Sequence, residues 1–248
     1  MKTGLRGTGA VYLREMLILK HRFFHHLASM MVLPFLYLVA FGTAMGGSAP
    51  LAGHSYLEFL LPGLIAMTCM TQSYGIATEI NIARFYLHVF EEFQAAPISN
   101  AAHVLGEALS GMTRAALGVA VILLMGLAFS VRLHIGPYFL LAAALNAWVF
   151  ASLGVLLAML VRSHADQSMV SSFIITPMSF LGGTLFPLDR LPEWAQTLLS
   201  LLPLTHASHA IHADALGLPP EPMDFMILAS AGALLFFLAL RSVGQARD

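Results

Sequence analysis

Charge is what this sequence has least of. Of its 248 residues, 10% are Asp, Glu, Lys or Arg, while 58% are apolar. An ordinary soluble domain carries roughly 25% charged residues. Twelve basic and 13 acidic side chains are too few to cover a soluble globule of this length, which excludes most soluble enzymes. Lysine is almost missing, being confined to Lys2 and Lys20. A P-loop needs a glycine loop ending in Lys followed by Ser or Thr to cradle phosphates; Lys2 stands at the very start and Lys20 is followed by His21, so no ATP-hydrolysing loop is expected. One cysteine, Cys69, permits no internal disulfide. A net charge of -1, with no basic and aromatic cluster beyond the N-terminal segment, gives no support to a nucleic-acid partner. Glycine and proline are ordinary in number, and with this apolar content a disordered or collagenous chain is excluded.

What is present is a series of long runs without Asp, Glu, Lys or Arg. Their spanning parts are expected at Leu27–Gly46, Phe59–Thr78, Ala115–Val131, Tyr138–Val161, Gln167–Leu188 and Phe225–Leu240. A hydrocarbon core about 30 Å thick needs about 20 helical residues, and several runs reach that outright. None alternates with period two, so a membrane barrel does not fit. The fold expected is all-α, a polytopic membrane protein of six transmembrane helices. If the N-terminus is cytoplasmic, Lys2, Arg6, Arg14, Lys20, Arg22, Arg84, Arg114, Arg162, Arg241 and Arg247 fall inside. Only Arg132 and Arg190 then fall outside. The positive-inside rule favours that placement, with both termini cytoplasmic. No cleavable signal peptide is expected, because the basic segment runs to Arg22 and the apolar stretch behind it is long enough to span.

Three connecting segments have a character of their own. Residues 1–24 read as an amphipathic interface helix, with Val11, Tyr12, Met16, Leu19 and Phe23 at roughly helical spacing. Residues 79–107 form the longest inside connection, a short amphipathic helix broken at Pro97, with Ser99 or Asn100 able to cap the next helix. Glu91 and Glu92 there are either a solvated face or a surface for a partner. Residues 187–224 hold two helices too short to span, around Trp194–Leu202 and Ala207–Leu216, and read as an outer hairpin dipping into the membrane.

Polar groups inside or beside the spans are the remaining candidates. Gln72 and Asn146 either line a path or cross-link helices, the second being the commoner role. Gly182 and Gly183 give the fifth run a flexible, closely packed end, and Pro177 kinks it a turn earlier. His206, His209 and His212 share a helical face. Three imidazoles can ligate zinc, but the row drifts around the helix and lacks a convincing fourth ligand, so no metal is expected. Glu107 and Arg114 read as groups facing the cytoplasmic interface.

Several fragments, taken in order, carry a resemblance. They are Tyr56-Leu57-Glu58-Phe59-Leu60-Leu61-Pro62-Gly63, Glu91-Glu92-Phe93-Gln94-Ala95-Ala96-Pro97, Leu181-Gly182-Gly183-Thr184-Leu185-Phe186-Pro187, and Leu202-Pro203-Leu204-Thr205. Over essentially its full length the chain resembles the permease subunit of ABC-2 type exporters, in the branch of small bacterial permeases that includes the lipo-oligosaccharide, nodulation-type exporters. The resemblance implies a single transmembrane domain over residues 1–248, homodimerisation in a bacterial inner membrane, and two copies of a separate cytoplasmic ABC ATPase that bind the ATP and Mg²⁺. Glu91, Glu92, Phe93 and Pro97 would form the coupling contact with that partner. Gln72, Asn146, Gly182, Gly183, His206 and His212 would be pathway or gate positions. A lipid-like, glycolipid, saccharide or drug cargo would leave the cytoplasm or inner leaflet. His206 and His212 stand where the branch commonly has Tyr and Arg, and Phe93 where it has Leu. On the residues alone, a scaffold subunit that transports nothing stays open, and so does an intramembrane enzyme built on the histidine row.

Overall fold

In the computed structural model, which describes residues 2–45, 55–87 and 98–245, every regular element is a helix. They are α1 (Lys2–His21), α2 (Phe23–Met45), α3 (Tyr56–Tyr74), α4 (Ile76–Phe85), α5 (Asn100–Ala128), α6 (Pro137–Leu160), α7 (His164–Val170), α8 (Thr176–Leu181), α9 (Glu193–Leu199), α10 (Pro203–Ala215) and α11 (Pro222–Gln245). A π turn, Ser171–Ile175, joins α7 to α8.

Five stretches among the described residues are long and apolar enough to cross a membrane: Phe23–Gly42, Tyr56–Phe85, Asn100–Ala128, Pro137–Leu160 and Pro222–Gln245. The run expected at Gln167–Leu188 is not among them. Its helical part is α7, the π turn and α8, and it ends at Leu181, seven residues short of Leu188. Pro177 explains the interruption. It has no N–H for the helical ladder, and the turn before it widens so that the Thr176 hydroxyl reaches the Ser171 carbonyl (3.0 Å).

Two other boundaries move, each for a visible reason. The third run begins at Asn100 rather than Ala115, capped by the Ser99 hydroxyl on the Ala102 N–H (3.2 Å). Arg114 does not snorkel to an interface; it is buried and ion-paired, so the helix passes through it. The second run bends at Gly75 and continues as α4. Two glycines receive that bend. A Cβ on Gly111 would lie 2.8 Å from the Ser73 carbonyl oxygen, and one on Gly154 3.0 Å from that of Tyr74.

α3 is the central helix, with every residue from Leu60 to Met70 buried. It packs against α5, α6 and α10. Its start is fixed by a capping box, Ser55 accepting from the Glu58 N–H (3.3 Å) and the Glu58 carboxylate from the Ser55 N–H (2.7 Å). Lipid tails are as apolar as leucine, so helices associate through close packing of small residues rather than by leaving water. Gly118 admits Thr68, Gly126 admits Leu61, and Gly232 of α11 admits the Trp148 ring, which also stacks on Phe236 (4.9 Å). α2 and α11 lie outermost, with Phe24, Leu36, Met226 and Leu234 exposed.

Candidate functional site

Two polar assemblies sit toward opposite ends of the α3–α4 rod, one beside Phe59 and the other beside Glu79. Twenty helical residues separate those positions, about 30 Å of rise.

The assembly at the Glu79 end is ionic. α1 lies across α5, with Val11, Glu15 and Leu19 buried on one stripe while Leu5, Leu13 and Leu17 face outward. Gly106 sets the crossing, since a Cβ there would stand 2.7 Å from that of Val11. The Tyr12 and Thr113 hydroxyls meet at 3.0 Å. Arg114, 3% exposed, donates through Nη2 to Glu15 Oε2 (3.1 Å) and through Nη1 to Glu79 Oε1 (3.2 Å). Arg14 reaches the other Glu15 oxygen at 3.0 Å, and His26 Nε2 stands 3.9 Å from Glu79. Burial pushes the Glu15 carboxyl above its ordinary range, while the guanidiniums of Arg14 and Arg114 pull it back. Glu107, one helical heptad before Arg114, is buried as well. These groups therefore do not face an interface, as the sequence suggests. Arg114, through Glu15 and Glu79, binds α1 and α4 to α5.

Gly106→Val tests that crossing. Overpacking costs about 1–3 kcal/mol, so local release of α1 should rise about five-fold or more. The check is trypsin cleavage after half-buried Arg14 in detergent-solubilised protein; an unchanged cleavage rate contradicts the crossing.

The assembly at the Phe59 end is built from the outer hairpin. The close packing starts at Gly63, where any Cβ would overlap the Thr184 carbonyl oxygen. Gly183 follows the end of α8 with φ +71, a conformation glycine takes without strain. Its carbonyl accepts from the Ser208 hydroxyl (3.0 Å), and Gly182 leaves room for Leu204, whose Cδ2 would be 2.8 Å from a Cβ there. Tyr56 donates to the Leu185 carbonyl (2.9 Å). α10 thus lies directly on this turn. His206 and His209 donate through Nδ1 to the two oxygens of Asp224 at the start of α11, each at 2.7 Å. His206 Nε2 faces the Ser200 carbonyl (2.8 Å). His212 turns the other way, its ring nitrogens at the Ser208 (2.7 Å) and Phe59 (2.9 Å) carbonyls and its ring 4.6 Å from that of Phe59. The hydrogen bond to Asp224 raises the His209 pKa, and burial lowers that of His212. A cleft of ≈ 360 Å³ opens among Phe59, Gly183, His206, His209, His212 and Asp224.

Gly183, His206 and His212 thus line one cleft, while Gly182 lies outside its lining and packs on Leu204. Gln72 and Asn146 lie elsewhere. Gln72 is half-buried against Gly118. Asn146 is fully buried and donates to the Ala66 carbonyl (3.0 Å), tying α6 to α3. Glu91, Glu92, Phe93 and Pro97 fall outside the described residues, whose nearest flanks are the end of α4 and Ile98. The sequence reading missed Asp224 and Asp214. Asp214 accepts from the Gly136 N–H (2.8 Å) and so anchors the α5–α6 connection to α10.

Comparison with known proteins finds relatives among membrane transport proteins. Residues 7–216 match the family described as ABC-2 type transporter. The chain is 28% identical over 206 residues to the inner membrane transport permease YadH of Escherichia coli K12, covering 82% of this chain and 78% of that one. It is 30% identical over 247 residues to nodulation protein J of Neorhizobium galegae, covering 97% and 91%. With the daunorubicin resistance ABC transporter permease protein DrrB1 of Streptomyces coeruleorubidus it shares 26% over 206 residues, covering 79% and 70%.

Proposed function

The chain belongs to the ABC-2 type transporter family, as the membrane permease subunit of an exporter system and not itself an enzyme, and on that premise we propose how it is assembled and driven. It is a multi-pass inner-membrane protein, and its family implies pairing with a cytoplasmic ABC ATPase. Two copies form the membrane part, and two ATPase subunits supply the ATP and Mg²⁺ chemistry. Residues 1–248 act as one transmembrane domain with both termini cytoplasmic, the side on which ten of the twelve basic residues then fall. Residues 167–188 make a sixth, interrupted crossing, and residues 187–224 form a re-entrant outer hairpin. Exposed Trp194, Leu198 and Leu201 on α9 and its following turn give that hairpin an apolar face for lipid.

In this reading, α1 and the segment containing Glu91, Glu92, Phe93 and Pro97 dock on the ATPase. Gly182, Gly183, His206 and His212 close the outer end, and Gln72 and Asn146 belong to the wall of the path. The single observation that carries it is the ionic joint itself. The two elements expected to meet the motor, α1 and the stem α4, converge on one buried arginine of a spanning helix. The cargo is a lipid-like, glycolipid, saccharide or drug molecule. Relatives named for nodulation and for daunorubicin resistance support that breadth.

Native mass spectrometry of the assembly drawn from its own membrane tests this. Two permease chains with two ATPase chains are expected. A stable permease monomer, or an assembly with non-ATPase proteins only, would favour the scaffold reading.

A further inference from the structure

We propose that Arg114 is the coupling residue of this permease, the positioning group through which motion imposed on α1 and α4 is delivered to the spanning helix α5 and on to the outer cleft. The proposal rests on the exporter reading above and names the residue that makes its energy transfer work.

The geometry has three parts. First, one guanidinium serves two carboxylates on different elements, Glu15 of α1 through Nη2 and Glu79 of α4 through Nη1, at 3.1 and 3.2 Å. A planar fork can hold two partners in fixed directions; a lysine ammonium cannot reproduce that. Second, the group is buried, its side chain 4% exposed and that of Glu15 2%. If α1 or α4 moved without α5, the buried Arg114 guanidinium would lose one of its two counter-charges. Relative sliding is therefore disfavoured, and the three helices move as one body. Third, α5 carries the motion away from the joint. It is 29 residues long, about 43 Å. Near its far end Gly126 is filled by Leu61 of α3. Just beyond it, the Gly136 N–H is held by Asp214 at the end of α10, the helix that carries His206, His209 and His212. The line from joint to cleft is thus made of direct contacts. Arg14 and His26 flank the joint on Glu15 and Glu79.

The test reads the outer end while changing the inner one. Cys69 is the chain's one cysteine and is buried, so a cysteine placed at Asp189, exposed on the rim of the outer cleft, is the accessible thiol. The Asp189→Cys permease is purified with its ATPase in nanodiscs, and labelling by a membrane-impermeant maleimide is timed with and without ATP plus vanadate. Wild-type Arg114 should show an ATP-dependent change in labelling rate. Arg114→Lys should keep the ATPase bound and hydrolysing while that change shrinks about ten-fold. If Arg114→Lys has lost its thermal transition, Glu79→Gln and Glu15→Gln carry the test, with the same loss expected from each. An undiminished ATP response in folded variants overturns the proposal, and so does loss of ATPase binding, which would make the arginine a docking group. A wild-type chain recovered with no ATPase overturns the exporter reading itself, and is seen before any variant is made.

Discussion

Replacing Gly63 by alanine is expected to remove functional permease from the membrane. The added Cβ would occupy the place of the Thr184 carbonyl oxygen, which is backbone and cannot rotate away. Relief requires separating α3 from the Gly182–Pro187 turn. That turn is held from several directions, by Tyr56 on the Leu185 carbonyl (2.9 Å), Ser208 on the Gly183 carbonyl (3.0 Å), and Thr184 on the Ser179 carbonyl (2.6 Å). A core overpacked against side chains loses about 1–3 kcal/mol. A clash with fixed backbone at the central helix should cost at or above the top of that range. Thermal unfolding of the solubilised variant, with its yield relative to wild type, measures this. Wild-type stability in Gly63→Ala would mean that α3 and the turn do not approach so closely. Gly217 is the matched control: it has space around it, but its φ of +75 makes alanine there a local strain rather than a clash.

Asp224→Ala is expected to give the second large effect, with a characteristic dependence on pH. The carboxylate is 5% exposed and holds both His206 and His209, and removing one partner of a buried charged pair costs on the order of 3 kcal/mol. It also sits in the first turn of α11, where a negative charge suits the helix dipole. His209 binds its proton more tightly in the folded protein, chiefly through the hydrogen bond to Asp224, with Glu221 and Asp189 also raising its pKa. Its stabilising contribution is therefore full below the ordinary histidine pKa of about 6.5 and is lost as pH rises through the raised folded value. His212 behaves oppositely. Burial lowers its pKa, so its contribution is full above about 6.5 and is lost as pH falls through the lowered value. The melting temperature of Asp224→Ala should fall relative to wild type, and the decline on the alkaline side should flatten. His212→Phe should flatten the acid side instead. An alkaline decline that survives in Asp224→Ala would show that it does not originate at His209.

Much of the fold is legible in the sequence because lipid imposes a coarse rule: about twenty apolar residues make a helix. Five of the six expected runs become long helices, and the two short helices of the outer segment stand near where Pro192, Pro203 and Gly217 punctuate the chain. Composition does not reveal how a charge is neutralised. Arg114 and Glu79 look like the ends of spans, because a charge in an apolar helix is costly unless paired, and its partners lie 35 and 99 residues away. One local sign was available. Glu15 lies midway between Val11 and Leu19 at helical spacing, on the buried stripe of α1 rather than its wet face. The outer cleft was legible in half. The histidine row marks it, but Asp224 at the start of the last span is the residue that gathers two of the three rings, and only the tertiary arrangement brings it there. The glycines of the resembling fragments gain a physical meaning from the same contacts: a Cβ on Gly63 would overlap the Thr184 carbonyl oxygen and one on Gly182 would stand 2.8 Å from Leu204, while Gly183 takes a φ of +71.

The central claim is that a separate ATPase drives this chain through its cytoplasmic elements. Affinity purification of the tagged permease from its native cell, in mild detergent or nanodiscs, with partners identified by mass spectrometry, tests it most directly. Recovery of a soluble ABC ATPase at near one-to-one stoichiometry is the expected result, and it should be lost when residues 91–99 are scrambled in a chain that still melts cooperatively. Repeated recovery of intact permease without any ATPase would contradict the claim.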